Sequence, residues 1–66
     1  MEIHNVSEVK RDPDGYYLEL DKADAQGFNI GDAVNMPPFT FMISNIGEDE
    51  GKSSIRVDLD IVWGSR

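Results

Sequence analysis

Between Ile55 and Trp63 the chain alternates with a period of two. Ile55, Val57, Leu59, Ile61 and Trp63 hold one set of positions, and Arg56, Asp58 and Asp60 hold positions of the other. Successive side chains leave a strand on opposite sides, so this period dictates a β-strand with one dry face and one charged, wet face. A chain that ends this way is sheet-based.

Other segments repeat the period. In Tyr16–Asp21, the residues Tyr16, Leu18 and Leu20 share one face, and Tyr17, Glu19 and Asp21 the other. In Phe39–Ile46, the residues Phe39, Phe41 and Ile43 share one face, and Thr40, Met42, Ser44 and Ile46 the other. Apolar groups on both faces of that second segment suit an interior strand of a sheet that curls over itself, or a contact surface. Ile3, Val6 and Val9 are spaced by three, and a bulge would shift their register enough for one strand. Asp12-Pro13-Asp14-Gly15 is a turn, with Pro13 presetting φ and Gly15 accepting a positive φ. Residues 3–11 and 16–21 are therefore expected to form a hairpin.

Asp21 to Gly27 predicts one helical turn near residues 22–26, with Asp21 as N-cap and Gly27 as stop. Gly31-Asp32 reads as a tight turn and Ala33–Met36 as a strand. Pro37-Pro38 is expected to interrupt regular pairing, because it removes backbone donors. These elements predict an all-β fold: a small, strongly curved, five-stranded antiparallel sheet or barrel. An SH3-like barrel is the first expectation, an OB-like barrel the second, and an open sheet completed by dimerisation the third. Sixty-six residues suffice for a single small β domain, 1–66, and a core of that size is marginal by surface-to-volume scaling alone.

Composition excludes several chemistries. The chain has no cysteine and one histidine, so disulfides, thiolate sites and two-histidine metal sites are out. Thirteen acidic and six basic residues give a net charge of −7, which disfavours nucleic-acid backbones and anionic membranes and favours basic partners. No apolar run approaches the roughly 20 residues that span a bilayer. The first residues lack the charged-then-apolar order of a signal peptide, which points to a cytoplasmic protein.

Asp12, Asp14 and Gly15 invite a calcium reading. Placing Gly15 at the glycine position of an EF-hand loop puts Lys10 where the first oxygen ligand belongs, so turn chemistry explains these residues better. Asp58 and Asp60 stand about 7 Å apart on one side of a strand by its rise per residue. A wet sheet face offers such carboxylates neither the cleft nor the raised pKa of acid–base catalysis, and Arg56 and Lys52 are the expected neutralising partners. His4 has no acidic or nucleophilic partner at useful spacing in the sequence. No catalytic residue, metal site or cofactor is expected, and the chain is read as a non-enzyme.

The remaining candidates are contact residues. Met36, Pro37, Pro38 and Phe39 form an apolar loop that either inserts into a partner or caps the core. Tyr17 is an aromatic on an outer face. Glu48, Asp49 and Glu50 form an acidic loop, and Asp58 and Asp60 an acidic strand face. The expected function is a non-catalytic protein–protein interaction or assembly module, a subunit of a larger complex or a homo-oligomer. The alternatives are an acidic inhibitor that mimics nucleic acid on a basic protein partner, and a small-barrel nucleic-acid-binding protein. The bulk charge opposes the last of these, because only Lys10, Arg11, Lys52 and Arg56 could meet phosphates.

Overall fold

The computed structural model describes residues 2–48 and 53–63. Among them are β1 (Ile3–Asn5), β2 (Lys10–Asp12), β3 (Gly15–Asp21), α1 (Lys22–Ala25), β4 (Ala33–Met36), β5 (Phe39–Glu48) and β6 (Ser54–Trp63). The strands form one sheet in the order β1-β4-β5-β6-β3-β2. β1 lies parallel to β4, and every other neighbouring pair is antiparallel.

The alternation that predicted β6 is present, and it builds the core. Ile55, Val57 and Leu59 are buried, together with Leu18, Val34, Phe41 and Ile43. Cross-strand partners share a face, so the register aligns Leu18, Val57 and Ile46 in one row and Tyr16, Leu59 and Ile43 in the next. The dry face closes at Leu59. Ile61 is 48% exposed, because the pairing of β3 with β6 stops at Tyr16↔Leu59 and leaves Ile61 only β5 as a neighbour. The side chain of Trp63 lies outside the described residues.

Two bulges adjust this pattern. Register shifts fall between Thr40/Phe41 and between Ile43/Asn45. The second leaves Ser44 as an extra residue, so Ile43 and Ile46 both reach the core side. Ile46, expected on the outer face with Ser44, is therefore corrected to the core face.

The expected five-stranded antiparallel barrel, SH3-like or OB-like, differs from what is found: six strands, one parallel pair, and β1 and β2 as separate edges of a sheet that does not close. The difference begins at the N-terminus, where residues 3–11 were expected to be one strand of a hairpin. Only Lys10–Asp12 pairs with β3. Extending that register backwards would place Glu8 opposite Glu19, and like charges directly opposed destabilise a ladder. Instead the chain leaves β3 before Lys10. Val6 and Val9 pack on the core, and Ile3–Asn5 pairs with β4 at the other edge. A spacing of three fits a segment that crosses a sheet face.

The turns follow from local chemistry. Asp12 Oδ1 accepts the amide protons of Asp14 and Gly15, both at 3.0 Å, and Gly15 has φ +137°. Asp21 occupies the N-cap position of α1 without a side-chain cap bond. Contrary to the expectation from the sequence, Pro37-Pro38 does not interrupt pairing. It forms the two-residue turn between β4 and β5, joined by a cis peptide bond, with Met36 paired to Phe39. These corner positions need no backbone donor, so two prolines can occupy them.

Candidate functional site

Three places on the surface combine unusual chemistry with defined geometry. The first is the outer edge of β3. Lys22 donates its backbone N–H to Ser53 O at 3.3 Å, one step beyond the pair Asp21↔Ser54. Backbone groups of a strand alternate sides, so the even residues Leu18 and Leu20 turn their amides and carbonyls towards β6. The odd residues turn theirs away. Tyr17 meets Lys10 of β2 on that side. Beyond Tyr17, β2 has ended. Among the described residues the Glu19 amide and carbonyl, and the Asp21 amide, have no strand to pair with.

A groove of about 380 Å³ opens along this bare edge. Its apolar lining includes Val6, Leu18 and Leu20, and its charged rim Glu8, Lys10 and Glu19. Lys10 reaches Glu19 at 3.8 Å as an exposed, diagonal pair.

The second place is the outer face over β2, β3 and β6. Arg56 donates from a terminal nitrogen to Asp12 Oδ2 at 2.7 Å and from Nε to Asp58 Oδ1 at 2.8 Å. Its guanidinium lies over the Tyr17 ring, 4.1 Å from the centroid. Hydrogen bonding to Asp58 and then Asp12 raises the Arg56 pKa further. Asp12 is held below its usual range, chiefly by Arg56. Arg56 is thus the expected partner of Asp58, while Asp60 is exposed. Tyr17 is half-buried under the guanidinium.

The third place was not legible in sequence. Asp32 is 4% exposed. Its Oδ1 accepts the Glu2 amide at 3.1 Å, and its Oδ2 accepts the Asn29 amide at 3.1 Å. His4 Nε2 lies 2.9 Å from Oδ2, and a carboxylate can only accept there, so this nitrogen carries the proton. The imidazole stacks on Phe28, with centroids 3.9 Å apart. His4, the Glu2 amide and the Asn29 amide together lower the Asp32 pKa to about 2. The expectation that His4 lacked an acidic partner is corrected: the partner is 28 residues away and is brought near by the β1–β4 pairing. Glu2, His4 and Asp32 offer ligand atoms within 4.8 Å of one another. The Asp32 oxygens already have donors, so the arrangement works as a clamp that fastens edge strand β1 to the turn before β4.

The other expected contact residues are dispersed. Met36 and Phe39 are half-buried against the core, while Pro37 and Pro38 are exposed at their turn. Asp49, Glu50 and the side chain of Glu48 lie outside the described residues. Ile3, 66% exposed, and Met42, 45% exposed, flank Ala33 in one row on the outer face. No helix among the described residues is long and apolar enough to cross a membrane. Comparison with family models, curated proteins and solved structures finds no match to this chain.

Proposed function

We propose that this chain is a non-catalytic interaction module that binds another protein, or a copy of itself, through an open edge of its sheet. The observation that carries the reading is an unclosed sheet whose edge strands, β1 and β2, are only three residues long. Because β2 covers β3 only from Gly15 to Tyr17, the backbone groups beyond it stay bare beside apolar side chains, and strand addition uses that combination. At β1 the bonds Ala33 N–H to Glu2 O and Val6 N–H to Asn35 O assign the even residues to β4. The backbone groups of Ile3 and Asn5 therefore face outwards. At β3 the bare stretch lies beyond Tyr17. Two of the dispersed acids, Asp12 and Asp58, spend their charge on Arg56, which weakens the reading as a nucleic-acid mimic.

The test is amide hydrogen exchange on the free chain, then on a complex obtained by affinity capture, with the assembly state read by light scattering. The proposal expects new protection at Ile3, Asn5, Glu19 or Asp21. A partner, or a dimer, that leaves all four amides unchanged would refute it.

A further inference from the structure

The β3 edge has a chemical identity that the β1 edge lacks. Its slot is the place from which the chain's own residues 7–9 are excluded. In the register of β2, Val9 would face Leu18, Glu8 would face Glu19 and Ser7 would face Leu20. The charge clash of that arrangement lies at one position, Glu8 against Glu19. A strand with a cation there would meet no clash and would gain an ion pair on the wet face. Its two neighbours would lie beside Leu18 and Leu20, in the groove that also contains Val6. The next residue would face Asp21, a second carboxylate.

We infer, building on the interaction-module reading, that β3 from Leu18 to Asp21 accepts an extended segment of a partner protein, antiparallel to β3 as β2 is, with the N-to-C pattern basic–apolar–basic–apolar. The basic residues lie opposite Glu19 and Asp21. The Glu19 amide and carbonyl exchange two hydrogen bonds with the residue opposite, and the alternate apolar side chains fill the groove. A second copy of this chain is a poor occupant. Two-fold antiparallel pairing centred on this edge would set Glu19 against Glu19 and repeat the repulsion that ends β2. The net charge of −7 steers a basic segment towards the protein and repels a copy. The Lys10–Glu19 contact, at 3.8 Å between exposed groups, is weak enough to yield to an incoming lysine or arginine.

The experiment is a titration of the 15N-labelled chain, followed by amide shifts, with two capped peptides: acetyl-Lys-Leu-Lys-Leu-amide and acetyl-Glu-Leu-Glu-Leu-amide. The lysine peptide is expected to shift Leu18–Asp21 and to bind at least tenfold more tightly than the glutamate peptide. Glu19→Lys is expected to reverse that preference, and its own folding is read from the unchanged shifts of β4 and β5. An N-methyl group on the second lysine, the one opposite Glu19, removes a backbone donor but keeps the charge, and is expected to cost at least tenfold. Equal binding of the methylated peptide would overturn strand addition, and equal binding of the glutamate peptide would overturn the charge assignment. Shifts confined to Ile3, Asn5 and Met42 would overturn this site while leaving the interaction-module reading intact. Absence of any shift at millimolar peptide would overturn this inference alone, since the captured complex tests the broader reading separately.

Discussion

Replacing Val57 by alanine tests where the dry face begins and ends. Val57 is fully buried between Leu18 on β3 and Ile46 on β5. The change removes two methyl carbons, worth about 1.6 kcal/mol by transfer. The cavity left in a closely packed row adds to this, for a total of about 2–3 kcal/mol. A chain of this length has about 3–10 kcal/mol of stability in all, so the loss is a large share of it. Melting should fall by roughly 10–20 °C, read by far-ultraviolet circular dichroism, with a matching fall in the urea midpoint. Ile61→Ala is the paired control. It removes more carbon from the same alternating set, yet Ile61 is half exposed with one neighbouring strand, so the cost should be about 1 kcal/mol. If Ile61→Ala destabilised the domain as much as Val57→Ala, closure of the core at Leu59 would be wrong.

Other perturbations probe separate parts of the account. Deleting Ser44 should leave a folded domain, because Ile43 and Ile46 then reach the core side by plain alternation; a chain unfolded by the deletion would contradict the bulge. Gly15→Ala meets no neighbouring atom but must adopt φ +137°, so it should lose about 1 kcal/mol or more in urea titration. Asp32 has a folded pKa of about 2 against its ordinary 3.8, so its contribution is complete above pH 3.8 and is lost as pH falls through about 2. The urea midpoint should therefore decline across that window, and less steeply in Asp32→Asn; equal slopes would show that Asp32 is not the titrating clamp. Glu8→Lys should allow β2 to extend, protecting the Glu19 amide and weakening the lysine peptide; unchanged exchange at Glu19 would refute the charge-clash explanation.

The elements legible in sequence are those whose causes are local. The alternation at Ile55–Leu59, the Asp12–Gly15 turn, the α1 turn after Asp21 and the strand at Ala33–Met36 each depend on residues a few positions apart. Elsewhere the cause is remote. The fate of Ile3–Val9 depends on a glutamate eleven residues beyond Glu8 and on a strand that begins at Ala33. The Ser44 bulge satisfies two partners at once, Ile43 against Leu59 and Ile46 against Val57, and no window on β5 alone contains that demand. The His4–Asp32 clamp spans 28 residues. Its one local sign was an aspartate directly before a strand, which a tight turn explains equally well. The Pro37-Pro38 pair is visible in the sequence, but its effect on pairing depends on its place, because proline is costly inside a ladder and cheap at a corner such as the one between Met36 and Phe39.

The most direct measurement is residue-resolved hydrogen exchange along β3 in the free protein. The Leu18 and Leu20 amides, bonded to β6, should be strongly protected, while the Glu19 and Asp21 amides between and beside them exchange at rates close to those of an unstructured chain. Protection of Glu19 equal to that of Leu18 would mean that the edge is already covered, and the binding slot would not exist.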